Sequence, residues 1–182
     1  LKTGDETEQR AALVWIASAE ATVFADQVAP LLKTDATSVR ASAAATLGRI
    51  APDRVPEIFA ALRDDASPTV QKALACLLAD AKPANARGAI FDLLRRARPQ
   101  ARASICASAY RLLGSDRAAL ARAMRFDPSM TVNLAAFRLM KRLDDPRLSA
   151  EVLNWCAEQH PNEYIRARAL RELEAHEAQA AR

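Results

Sequence analysis

One helical signature returns along the chain at a nearly fixed interval, and this repetition limits the possible fold more than any other property. An apolar residue followed by a polar or charged one occurs at Val39-Arg40, Val70-Gln71, Ala101-Arg102, Val132-Asn133 and Ile165-Arg166. The first four pairs are evenly spaced, with a period of about 31 residues, and the fifth comes two positions late. Behind the first four lie apolar positions four, eight and eleven residues further on: Ala43, Leu47 and Ile50; Leu74, Leu78 and Ala81; Ile105, Ala109 and Leu112; Ala136, Met140 and Leu143. Steps of this size stay on one face of a helix with about 3.6 residues per turn. Chance can supply one such window, but four in equal register require repetition.

Helix breakers keep the same period. Pro52, Pro83 and Gly114 follow one another at that spacing, and Pro146 comes one position late. A second set precedes the periodic pair: Pro68 and Pro99 by two residues, Pro128 and Pro161 by four. Two breaker sets per period divide each unit into two helices. The first helix of each unit is expected at 22–33, 55–64, 86–97, 117–126 and 149–158, with Pro30 kinking or shortening the last turn of its helix. Helices of roughly 10–14 residues, about 15–21 Å long, are marginal alone. Stacking like pairs removes that weakness, so the expected fold is all-α: an α-solenoid, a right-handed superhelix of helical hairpins. It is expected to run as one array over 1–182, with a leading helix at 5–19 and repeats at about 22–51, 52–82, 83–113, 114–145 and 146–178.

The wording of these units carries a resemblance. The stretch from Val39-Arg40 through Leu47-Gly48 to Ile50 resembles the second helix of a HEAT repeat, in the short form also called the phycobilisome-lyase-type repeat. The stretch from Val55-Pro56 through Ile58 and Leu62 to Asp65 is similar to the first helix and turn that follow it. The likeness spans about residues 7–178 and is looser where Gln71, Ala101 and Asn133 depart from Val-Arg. It implies a ladder in which a turn aspartate meets an arginine of a second helix, with Arg40, Arg102 and Arg166 as members. It also implies a binding role, a concave surface of second helices holding a protein partner or another domain of the same chain.

Both ends depart from the pattern. Asp5 and Glu8 form a capping-box arrangement at the start of the leading helix. Shifted by one period, Ala12 and Ile16 fall on Ala43 and Leu47, so this helix reads as a second helix without its first. Its run from Ala11 to Ala17 is apolar nearly all round, so it is expected either to pack on upstream protein, as part of a longer chain, or to serve as a cap. At the other end His176 occupies the register of Ile50 and Leu112, which suits a terminal helix with one wet face.

Composition excludes several classes of function. With 51% hydrophobic and 26% charged residues, disorder is not expected. No apolar run is longer than that one, and it falls far short of the roughly 20 residues of a membrane span, so no transmembrane segment is expected. Cys76, Cys106 and Cys156 are an odd number without a close pair, and read as small buried thiols that lean toward a reducing, cytoplasmic compartment. His160 and His176 lie far from every cysteine except Cys156, and His160 is placed in a turn by the proline after it. Four scattered glycines form no phosphate loop, and no zinc motif or nucleophile elbow occurs. The expectation is a chain without enzymatic activity, cofactor or metal.

Charge is uneven along the sequence. Residues 87–147 carry 13 basic and 5 acidic side chains, whereas residues 1–86 carry 9 and 11. Most of the central cations are arginine, suited to bidentate contact with carboxylate or phosphate. The expected partner-binding residues are Arg95, Arg98, Arg102, Arg138 and Arg142. The alternative is nucleic acid or another anionic surface bound through the same residues. HEAT-like DNA glycosylases need an aromatic-lined cleft beside a carboxylate, and here Trp15 and Trp155 stand near opposite ends of the chain.

Overall fold

The computed structural model describes residues 4–114, 117, 120, 124, 127–140 and 146–180. The described residues are helical apart from turns, and no strand occurs among them. Two compact units divide the chain, Leu1–Leu112 and Leu113–Arg182. The division falls one residue before the junction expected between the third and fourth repeats.

In Leu1–Leu112, α1 (Glu6–Ser18) opens with the expected reciprocal cap. Asp5 Oδ1 accepts from the Glu8 N–H at 2.9 Å, and Glu8 Oε2 accepts from the Asp5 N–H at 3.1 Å. The helix expected at 22–33 is broken into three pieces: a 3-10 turn at Thr22–Phe24, a single α turn α2 (Ala25–Val28) and a second 3-10 segment at Ala29–Lys33. Pro30 explains the second break, because it has no N–H to donate and the tighter 3-10 pattern takes over around it.

Four further helices have the expected alternation: α3 (Thr37–Ile50), α4 (Val55–Leu62), α5 (Pro68–Ala81) and α6 (Ala86–Arg96), followed by α7 (Pro99–Leu113). The periodic apolar face is the core. Val39, Ala43, Leu47 and Ile50 of α3 are buried, as are Val70, Leu74 and Leu78 of α5 and Ala101, Ile105 and Ala109 of α7. Burying each leucine or isoleucine contributes roughly 1.5–3 kcal/mol. Helix α3 packs on α1, α4 and α5, and α5 packs on α4 and α6. Close approach of α3 and α5 depends on Gly48, where a Cβ would stand 1.8 Å from Leu77 Cδ1. On the outer side, α1 buries Leu13 and Ile16 but leaves Val14 and Trp15 exposed.

In Leu113–Arg182, the helix expected at 117–126 is described only at Arg117, Leu120 and Met124, all helical. Then follow α8 (Met130–Met140), α9 (Pro146–Gln159) and α10 (Glu163–Ala180). Helix α9 begins three residues earlier than 149, with Pro146 at its first position, where a fixed φ and a missing N–H cost nothing. Phe137, Val152, Leu153, Cys156, Ile165 and Ala169 form one core cluster. The Arg168 guanidinium lies 5.8 Å from the centre of the Phe137 ring. His176 is exposed, although it stands in the register of the buried Ile50, as a terminal helix with one wet face requires. Among the described residues no helix is long and apolar enough to cross a membrane.

Candidate functional site

The polar residue of the periodic pair has one job at all five of its occurrences. Arg40 Nη1 donates to the carbonyls of Thr34 and Asp35, both at 2.8 Å. Gln71 Nε2 donates to the Asp65 carbonyl at 2.9 Å, and Arg102 Nη1 to the Ala97 carbonyl at 2.7 Å. Asn133 Nδ2 reaches the Asp127 carbonyl at 2.7 Å, and Arg166 Nη1 reaches the carbonyls of His160 and Pro161 at 2.7 and 3.1 Å. Every acceptor lies five or six residues upstream, in the turn that enters the helix. The side chain therefore ties the first turn of its own helix to the loop before it, satisfying carbonyls that the loop leaves free. Gln71 and Asn133 depart from arginine in sequence yet make the same bond with a neutral amide.

Arg40 makes the contact expected of a ladder member. Arg40 Nε donates to Asp65 Oδ2 at 2.7 Å and Nη2 to Oδ1 at 3.4 Å, with side chains 17% and 10% exposed. Arg102 and Arg166 meet carbonyls of their own turns, as above. Asp65 Oδ1 also accepts from the Ser67 N–H at 2.8 Å, and Asp127 Oδ1 from the Ser129 N–H at 2.9 Å. His160 stands at the same place, six residues before its periodic partner, and its Nδ1 accepts from the Asn162 N–H at 3.0 Å.

The expected arginines divide between the units. Arg95, Arg98 and Arg102 come together around the turn joining α6 to α7. Arg95 is exposed and pairs with Asp92 at 3.3 Å, a carboxylate that Arg96 also holds at 3.0 Å. Burial pushes the Asp92 carboxyl up, but the two guanidiniums outweigh it and leave it below the usual range. Arg98 is exposed, and among the described residues its guanidinium has no hydrogen bond or ion pair. The Arg102 N–H donates to the Arg98 carbonyl, which places Arg98 at the cap position that Ser67 occupies before α5. A cation is disfavoured at that end of a helix. Arg138 is exposed on α8, in the second unit. Arg142 lies outside the described residues.

Sequence reasoning missed a cleft in Leu113–Arg182. It has a volume of about 470 Å³ and is lined by Asp127, Pro128, Met130, Asn133, Trp155 and the turn from Gln159 to Asn162. His160 is 2% exposed and Asn133 8% exposed. His160 Nε2 and Asn133 Oδ1 are both buried and have no hydrogen-bond partner among the described residues. Because Nδ1 accepts, the neutral ring carries its proton on Nε2. Burial holds the His160 pKa below its ordinary value, and the nearby Arg166 lowers it further. The Trp155 ring meets the imidazole edge-on, with centroids 6.0 Å apart and planes at 81°. The one sequence signal for this place is the register of His160, matched to Asp65 and Asp127.

A second cavity, of about 600 Å³, lies in Leu1–Leu112 beside Pro30, Leu47 and Ile58. Arg54 crosses its rim, paired with Asp26 at 3.0 Å and Glu57 at 3.2 Å. Cys106 and Cys156 are buried and Cys76 partly so, and none of the three is in a disulfide. Among the described residues no group of three or more His, Cys, Asp or Glu is placed to hold a metal. No protein-family model, curated protein or solved structure matches the chain.

Proposed function

We propose that the chain is a HEAT-like α-solenoid that acts as a non-catalytic scaffold for a protein partner. Two features support the repeat reading: the turn bond made by residues 40, 71, 102, 133 and 166, and the spacing of polar contacts in Leu1–Leu112. There Arg96 pairs with Asp64, Arg111 with Asp80 and Cys76 with Ser108, at separations of 32, 31 and 32 residues, about one repeat each. Contacts at one repeat length are what stacked hairpins make.

The observation that carries the binding reading is Arg98, an exposed guanidinium at a helix N-terminus, unpaired among the described residues. Serine or asparagine there would cap the helix and stabilise it by about 1 kcal/mol, so Arg98 costs stability at a place where it is open to a partner. Arg95 lies three residues earlier, in the last turn of α6, and Arg138 is an exposed cation of the other unit, considered by itself. With Arg95, Arg96 and Arg111 already neutralised by aspartates, few cations are left for a polyphosphate, which binds through many phosphate contacts at once, whereas a protein carboxylate needs a single guanidinium.

Arg98→Ser is the test. It is expected to raise the unfolding free energy by about 1 kcal/mol while reducing retention of partner on the immobilised chain, and Arg95→Glu/Arg98→Glu is expected to abolish that retention with the helical circular dichroism intact. Equal retention by all three proteins would reject the reading. A duplex-DNA mobility shift that is tight at low salt and falls steeply as salt rises would transfer the same residues to nucleic acid.

A further inference from the structure

The cleft of Leu113–Arg182 holds one donor and one acceptor that no described residue matches. Both belong to residues whose other polar atom is committed to the backbone: His160 through Nδ1 to the Asn162 N–H, Asn133 through Nδ2 to the Asp127 carbonyl. Those bonds fix the ring and the amide, so Nε2–H and Oδ1 cannot turn away to find water. Buried polar groups are nearly always satisfied, and a pair left open in one cleft is a candidate recognition site.

We propose that this cleft takes one residue of an extended peptide segment, the carbonyl of that residue accepting from His160 Nε2–H and its own N–H, on the same side of an extended chain, donating to Asn133 Oδ1. The proposal rests on the scaffold reading for the class of occupant. The backbone of such a residue presents the complementary acceptor and donor without charge, which suits a neutral imidazole and a neutral carboxamide. Phosphate or carboxylate would find a single neutral donor here and the Asp127 carboxylate on the same wall. Pro128, Met130, Trp155 and Pro161 supply the rest of the wall, so the side chain of that residue is apolar. The Trp155 ring, edge-on to His160, gives that side chain a flat surface beside the donor.

The repeat itself provides the variants. His160→Asp installs the residue found at 65 and 127, which keeps the turn bond and removes the Nε2 donor. Asn133→Arg installs the residue found at 40, 102 and 166, which keeps the bond to the turn carbonyl and removes the acceptor. The probe is N-acetyl-leucine N-methylamide, titrated into the ¹⁵N-labelled full chain while the His160 ring nitrogens, the Asn133 side-chain amide and Trp155 fluorescence are followed. A saturable shift at all three is expected, with affinity falling at least about tenfold in each variant. The analogue methylated at both nitrogens, which has no N–H, is expected to bind at least about tenfold more weakly to the unaltered chain.

Absence of a saturable shift, equal affinity for the N–H-free analogue, or displacement by inorganic phosphate would overturn the proposal, and the analogue comparison needs no variant to fold. A silent titration would remove the occupant of the cleft while leaving the Arg95 and Arg98 retention experiment to decide the scaffold reading by itself.

Discussion

The two units perform the same task at their turns with a different mix of side chains, Arg40, Gln71 and Arg102 in Leu1–Leu112 against Asn133 and Arg166 in Leu113–Arg182. In Leu1–Leu112 the first of the turn bonds is charged on both sides, Arg40 gripping the Asp65 carboxylate of the next turn as well as the carbonyls of its own. In Leu113–Arg182 the carboxamide of Asn133 closes one turn, and an imidazole takes the place of the aspartate in the next. What the position requires is a donor that reaches a carbonyl five or six residues back. Charge is an addition, which lets one turn grip another. Where neutral groups replace it a polar atom is left over, Gln71 Oε1 in the first unit as well as Asn133 Oδ1 and His160 Nε2 in the second, and His160 and Asn133 line a cleft.

That contrast predicts unequal losses. Arg40→Ala leaves the largely buried Asp65 carboxylate without its cation, and is expected to cost on the order of 3 kcal/mol. Asn133→Ala removes a neutral bond and is expected to cost about 1–2 kcal/mol. Each unit contains one tryptophan, Trp15 and Trp155, so urea unfolding followed by fluorescence in single-tryptophan backgrounds reads them separately. Equal losses at the two positions would erase the distinction drawn between charged and neutral turns.

Acid should separate the units by a smaller margin. Both histidines lie in Leu113–Arg182, and the pKa of His160 is held below the ordinary 6.5, chiefly by burial. The unfolded chain then binds the proton more readily than the folded one. The stability this confers is present above pH 6.5 and is lost as pH falls toward the folded value. Leu1–Leu112 has no histidine, and the lowered pKa of Asp92 keeps its contribution until pH falls below 3.8 and through the folded value. Between pH 7 and pH 5 the Trp155 transition is expected to move to lower urea while the Trp15 transition stays in place, and His160→Asp is expected to remove most of that movement.

Much of this fold is legible in the sequence because a repeat reports the same fact several times. Val39, Val70, Ala101, Val132 and Ile165 are all almost completely buried, as one shared register requires. The 22–33 segment was harder to read because no repeat of it carries a proline equivalent to Pro30, and one residue without an N–H altered the helix type around it. Gln71 and Asn133 look like departures when compared by charge and like equivalents when compared by the carbonyl they reach. The candidate site divides in the same way. Arg98 and Arg138 are exposed cations, in line with the charge count, while Arg102 is tied into its turn by the Ala97 carbonyl. The cleft was illegible because its signal is two leftover atoms, and which atom of an imidazole or a carboxamide is left over depends on where its neighbour points.

The most direct test of the account is native-state amide hydrogen exchange on five single variants, with alanine in turn at 40, 71, 102, 133 and 166. If one position closes every turn, each variant loses protection in the first turn of its own helix, five times over, while the equivalent turns elsewhere keep theirs. Protection unchanged at the substituted turn in Gln71→Ala or Asn133→Ala, with loss confined to the arginine variants, would contradict it.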